Sequence, residues 1–312
     1  WPVVSSVSTP DGIGGTNVVS YKYEDALFHN NGRGLLGFAK CSIKDETTNA
    51  LSTTEYAVNT EKYVIAPVHS QTTIDGRKIE ESDYTYTLKT NYASSSYNSN
   101  IYTYVPTTTR QRSYEFNTGS VVKDVTTINE YDNFGNATKT VVKDGNFETT
   151  TTNTFVNDTE KWILGRLAES TVSKSNENGT ITKKSSFEYD NTSGLLTVET
   201  FAPENSMLGY RKAYVHDGFG NIIKSTETPL DNSSERVTLS TYDAQGRFMV
   251  SSTNSLGFTE KSTTDNATGL VTAATDKNGI VTHYTYDKFG SLVEATTPIS
   301  KALKTTGWSS GM

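Results

Sequence analysis

The strongest constraint on this chain is a spacing. Asp243, Asp265 and Asp287 stand 22 residues apart each time, and Gly246, Gly257, Gly269, Gly279 and Gly290 recur every ten to twelve residues. That interval holds one strand and one tight turn, and is too short for a helical repeat with its connections. Around the aspartates a short pattern returns: an aromatic, Asp, two open positions and Gly. It reads "YDKFGSL" from Tyr286, "YDNFGNA" from Tyr131, "HDGFGNI" from His216 and "YDAQGRF" from Tyr242. A carboxylate at the first turn position accepts the backbone N–H two residues on, and glycine enters the left-handed region without a Cβ penalty. The pattern predicts one hairpin, built many times.

The expected turn-forming residues are Tyr131, Asp132 and Gly135, then Asp217 and Gly220, then Tyr242, Asp243 and Gly246, and finally Asp287 and Gly290. Two expanded copies carry one more turn residue: Tyr189, Asp190 and Gly194 in "YDNTSGLL", and Asp265 and Gly269 in "TDNATGLV". Asn176 takes the place of Asp before Gly179. An aspartate recurring at turns is a turn former, so the pattern assigns no catalytic role to any of these residues. In "IVTHYTYD", alternation puts Ile280, Thr282, Tyr284 and Tyr286 on one face and Val281, His283 and Thr285 on the other. Tyrosines on neighbouring strands can then stack, each contact worth about 0.2–1 kcal/mol.

Composition points the same way. Thr, Ser, Asn and Tyr dominate, residues that favour strands and turns, so the expected fold class is all-β. With 34% hydrophobic residues and a mean hydropathy of -0.53, the core is expected to be thin and dispersed. A net charge of -7 spread along the chain offers no block of one sign for nucleic acid or an anionic membrane. Cys41 is the sole cysteine, which excludes an intrachain disulfide and reads as a small buried hydrophobe. No run approaches the roughly 20 apolar residues that span a bilayer. The start at Trp1 reads as a piece of a longer polypeptide.

Repeats organise residues 119–312, regularly after Tyr242 and more loosely before; residues 1–118 are strand-like but irregular. "SDYTYTLKTNY" and "SNIYTYVP" predict strands, and "YASSSYNSN" a polar turn or exposed loop. A variant unit from Phe155 to Gly179 carries Trp162, Ile163, Leu164 and Leu167, read as a short aromatic and aliphatic plug packing in the core. Without a separating linker, one continuous sheet is expected rather than two domains.

Nothing marks an enzyme. His29, His69, His216 and His283 form no metal-binding spacing, no nucleophile elbow occurs, and no cofactor is expected. The glycine-rich "DGIGG" at Asp11 and "GRGLLG" at Gly32 are read as turns, not phosphate loops. The sequons at Asn136, Asn157 and Asn266 are by-products of abundant Asn, Ser and Thr.

The "YDxxG" units resemble the YD or RHS repeat. "NGRGLLGFAKCSIKD" from Asn31 and "NDTEKWILGRLAESTV" in the variant unit resemble stretches of the Tc insecticidal toxin B component and of SpvB-like virulence proteins, so that the likeness runs from about Gly32 to Pro298. His216 and Thr264 depart from the repeat's Tyr, and Phe155 to Asp158 lacks the following glycine. The resemblance implies a long curved sheet of antiparallel hairpins, part of a hollow shell that holds a C-terminal toxic polypeptide. It also implies an aspartate-dependent self-cleavage near the shell's end, in a region beyond Met312, so no catalytic residue is carried over. Expected partners are the rest of the parent chain, the enclosed toxin and other toxin-complex subunits, and the expected location is secreted or at the bacterial cell surface. The competing reading is an adhesion module that binds carbohydrate or protein.

Overall fold

The computed structural model describes residues 2–90, 101–299 and the backbone of 303–304. By backbone contacts the chain divides inside one strand into two compact units, Trp1–Lys183 and Lys184–Met312. Among the described residues both are built from strands and turns, with no helix.

In the first unit the strands are β1 (Ser6–Pro10), β2 (Thr16–His29), β3 (Gly34–Asp45), β4 (Ala50–Asn59), β5 (Val64–Ile74), β6 (Arg77–Lys89), β7 (Thr103–Tyr114), β8 (Val121–Tyr131), β9 (Ala137–Asp144), β10 (Phe147–Asp158) and β11 (Ile163–Asn176). Each pairs antiparallel with the next. β12 (Gly179–Tyr189) contains the division. The sequence boundary at 118/119 falls in the ordinary turn between β7 and β8.

The second unit continues with β13 (Leu196–Phe201), β14 (Tyr210–His216), β15 (Ile222–Pro229), β16 (Arg236–Tyr242), β17 (Met249–Thr253), β18 (Thr259–Thr264), β19 (Val271–Thr275), β20 (Val281–Tyr286), β21 (Leu292–Thr296) and β22 (Leu303–Lys304), again paired in chain order. Strands β13–β21 hold only five to eight residues, the length a ten-to-twelve-residue period leaves after its turn.

The interior is thin, as expected. Among the described residues only Ala66 and Val198 are buried hydrophobics, joined by the polar Thr53 and Glu81. Stability therefore comes from strand pairing, cross-strand side-chain contacts and turns. In β20 the expected alternation holds: Tyr284 and Tyr286 are half-buried while His283 and Thr285 are exposed. Rings stack across strands at Tyr86 with Tyr104, 5.0 Å between centroids, and at Phe201 with Tyr210, 4.7 Å.

One expectation is corrected. Trp162 does not plug a core; it is the left-handed last residue of the β10–β11 turn, with φ 56° and 46% exposure. Ile163, Leu164 and Leu167 enter β11, half-buried, with Leu167 opposite Phe155. A single-layer sheet has no interior deep enough to receive a plug. "YASSSYNSN" lies outside the described residues.

Candidate functional site

Two constructions dominate the molecule: a series of aspartate-closed turns and a row of charges crossing the first unit. The turns come in two lengths. In the shorter, the N–H of Asp132, Asp217, Asp276 or Asp287 donates to the carbonyl four residues on at 2.9–3.0 Å. Each carboxylate Oδ1 accepts the N–H groups two and four residues on at 2.8–2.9 Å. Gly135, Gly220, Gly279 and Gly290 sit at φ 81–90°, a region that disfavours any Cβ. Asn254 with Gly257 builds the same turn, as does Asp11 in "DGIGG".

The longer form occurs at Asp190 and Asp265, whose N–H groups donate to Leu195 and Leu270 carbonyls at 2.8 Å, with Gly194 and Gly269 left-handed. Asp243 is a hybrid: its N–H reaches Phe248, five residues on, yet its carbonyl accepts from Gly246, three on. The turn hydroxyl and N–H of Thr268 hold the Asp265 carboxyl below the usual range. The Asp265 carboxylate is thereby committed as an anion to turn closure and is unsuited to proton transfer.

The aromatic position has its own geometry. Register slips by one residue at Tyr131, Tyr189, His216, Tyr242, Thr264 and Tyr286, so a bulge accompanies each of these turns, while the turns at Asp11, Asn254 and Asp276 carry none. The Tyr131 hydroxyl donates to the Pro106 carbonyl at 2.8 Å and that of Tyr286 to Val271 at 2.9 Å. Both acceptors lie two residues beyond the last registered pair, Thr108 with Ile128 and Ala273 with His283. The phenol thus extends the ladder where backbone pairing has stopped. Tyr286→Phe is expected to lose about 0.5–1.5 kcal/mol for the bond. Tyr286→Ser, which also loses the ring, should cost more; an unchanged thermal midpoint for the serine variant would exclude this role.

Successive turns on one edge also touch. A Cβ on Gly246 would overlap the ring of Phe219 from the preceding turn on that edge, and one on Gly269 would meet Phe248 at 3.7 Å. Asn221 Nδ2 donates to the Gly246 carbonyl at 2.9 Å. In the first unit Asn157 bridges in the same manner, donating to Asp132 Oδ2 at 3.3 Å and accepting from Gly165 N–H at 2.7 Å. Two sequon asparagines, Asn136 and Asn157, are thereby used in turn linkage.

The charged row was not foreseen. Directly opposed residues on successive strands β2–β7 read Glu24, Lys40, Glu55, His69, Asp83 and Arg110. Sign alternates from Glu24 through Lys40 to Glu55 and again from Asp83 to Arg110, and neighbours pair within the row: Lys40 Nζ to Glu55 Oε1 at 3.3 Å and His69 Nδ1 to Asp83 Oδ1 at 2.8 Å. Beside it, Glu81 accepts from Lys78 at 2.7 Å and from the Tyr114 hydroxyl at 2.7 Å, and Arg112 Nη2 lies 3.0 Å away. A bulge in β6 brings Lys78 opposite Thr73 and onto this face. Lys78 and Tyr114 hold the Glu81 carboxyl at about 2, and His69 holds Asp83 below its usual range. Arg110 grips Asp124 through two bonds of 2.8 and 2.5 Å. A carboxylate this firmly ionised cannot serve as a general acid near neutrality.

The remaining candidates are scattered. His29 rests against Tyr63, His216 ends β14 and His283 is exposed on β20. Among the described residues no group of three His, Cys, Asp or Glu is placed to hold a metal ion. Burial raises the half-buried Cys41 thiol. One repeat escaped the sequence reading although it was visible there: Thr-Glu-Lys-aromatic occurs at Thr60–Tyr63 and Thr159–Trp162. Both loops place the aromatic left-handed, at φ 54° and 56°, behind an Asn59 or Asp158 side chain that accepts the N–H groups two and three residues on.

Residues 266–298, in the part of the chain with the most regular turns, match the RHS repeat family. The fold is similar to that of solved Tc toxin chains. The TcdB2–TccC3–Cdc42 structure aligns with a TM-score of 0.62 at 11% identity, and TcdB2–TccC3–TEV with 0.63 at 10%; each alignment covers 91% of this chain and 21% of the other. The chain thus spans about a fifth of the length of those neighbours. No curated protein matches it by sequence. By fold the chain is similar to Tc toxin chains, and its RHS-repeat match lies within residues 266–298.

Proposed function

We propose that the chain is a wall segment of a hollow β-shell that encloses a C-terminal toxic effector and helps deliver it, in a secreted or surface-borne bacterial toxin of Tc-like or polymorphic type. The observation that carries this reading is a strand meander with RHS turns and almost no dry core, whose fold is that of TcdB2–TccC3 chains. A wall between two aqueous spaces needs polar side chains on both faces. The segment itself is not a catalyst: its aspartates close turns and its buried carboxylate is paired. Residues 1–118 form the irregular lead-in and 119–312 the repeats. Its partners are the rest of the parent chain, the enclosed polypeptide and other toxin-complex subunits.

Electron microscopy of the purified parent protein tests this. A closed particle with internal density is the expected result. An extended rod or open sheet without enclosed volume would replace it with the adhesion reading, and binding of glycan or protein would become the question.

A further inference from the structure

An Asn-Gly pair can modify itself: the glycine nitrogen attacks the asparagine Cγ, and glycine, having no side chain, leaves the approach open. The chain has three such pairs, Asn31–Gly32, Asn178–Gly179 and Asn278–Gly279, and all are exposed. Exposure does not separate them, but the state of the attacking nitrogen does. In the β19–β20 turn the Gly279 N–H donates to the Asp276 carbonyl at 2.9 Å, and the Asn278 N–H donates to the Asp276 carboxylate at 2.8 Å. Gly179 is the first residue of β12, and the Asn178 N–H donates to the Asn176 side chain at 2.9 Å. The β2–β3 loop is different. Among the described residues nothing accepts the Gly32 N–H, and the Asn31 side chain has no hydrogen-bond partner.

We infer that Asn31 is a site of spontaneous deamidation, the first of the three to convert. The Gly32 nitrogen gives up its proton and bonds to Asn31 Cγ, the Cγ–Nδ2 bond breaks, and Nδ2 leaves as ammonia. Water then opens the resulting succinimide at either carbonyl, giving aspartate or isoaspartate. Water is the only co-reactant. Both products add a negative charge, and isoaspartate also lengthens the main chain by a carbon. The loop that receives this change is latched to its neighbour. Arg33 Nη1 donates to the Lys62 carbonyl at 2.5 Å, its guanidinium lies 5.8 Å from the Tyr63 ring centroid, and the His29 ring packs 4.1 Å from the same centroid. A longer main chain between His29 and Arg33 cannot keep both on Tyr63 in this geometry, so conversion loosens the β2–β3 loop from the β4–β5 loop.

The test is incubation of the folded chain at mildly alkaline pH, with peptide mass spectrometry following the change from amide to acid at each pair. Asn31 is expected to convert about tenfold faster than Asn278, the factor that one backbone hydrogen bond on the attacking nitrogen supplies, and to lead Asn178 as well. In urea strong enough to unfold the chain the three rates should converge to within about twofold, because the protecting bonds belong to the folded turns. A folded rate at Asn31 no greater than at Asn278 would overturn the inference. So would a lead that persists in urea, which would assign the difference to flanking sequence. The latch has its own readout. The aged chain should melt below the fresh one, and Asn31→Gln, whose longer side chain closes the ring poorly, should remove most of that difference. An aged chain with Asn31 converted and an unchanged thermal midpoint would overturn the loosening.

Discussion

Gly246→Ala is expected to destabilise the second unit by about 2–4 kcal/mol, more than the same change at other turn glycines. Two costs combine at this position. Its φ of 67° is left-handed, which costs an L-residue about 1–2 kcal/mol. The new methyl would also overlap the Phe219 ring, an overpacking penalty of about 1–3 kcal/mol. Gly279 is the internal control: its φ is 81°, but nothing lies within 4 Å of a Cβ built there. Gly279→Ala should therefore lose only the conformational part, about 1–2 kcal/mol. Denaturant unfolding followed by the strand signal in circular dichroism compares the two. Adding Phe219→Ala to the Gly246→Ala variant should recover the overlap part, giving a coupling that distant sites do not show. Equal losses at the two glycines, with no coupling to Phe219, would remove turn-on-turn packing from the account.

The contrast between these glycines also shows how far sequence reaches. Each Asp-x-x-Gly turn is local chemistry, a carboxylate and the N–H groups two to four residues away, so both its place and its bonds are legible from Asp132, Asp217 or Asp287 alone. What the glycine meets from another turn is not local. Phe219 and Gly246 are brought together by strand pairing whose register depends on bulges at His216 and Tyr242. The charged row was hidden for the same reason: Glu24, Lys40, Glu55, His69, Asp83 and Arg110 have no common spacing, because the intervening hairpins differ in length. The turn at Glu115 was hidden by chemistry. Glu replaces Asp there, and its longer side chain still reaches the Thr118 N–H at 2.6 Å, which holds this carboxyl at about 2.

Glu81→Ala should be the most damaging single change in the first unit, at about 2–4 kcal/mol near neutral pH. Its side chain is only 10% exposed and sits between Lys78, Arg112 and the Tyr114 hydroxyl. Removing the carboxylate leaves a buried donor and two cations with fewer acceptors, which costs more than the pair's net worth. The loss stays at the lower end of the range for fully buried pairs because Lys78 can return to water and Arg112 keeps Asp83. Acid provides an independent check. The folded carboxyl titrates at about 2 and its ordinary value is 4.5, so its contribution is fully present above pH 4.5 and is lost as pH falls toward about 2. On the order of 2 kcal/mol separates those limits once partial hydration of the partners is allowed for. The stability gap between the native chain and Glu81→Gln should therefore be widest at about pH 6 and narrow by about pH 2.5. A gap that does not change with pH would mean that Glu81 acts through shape and hydrogen bonding rather than charge. The stripe across β5–β7 would then be a packing feature.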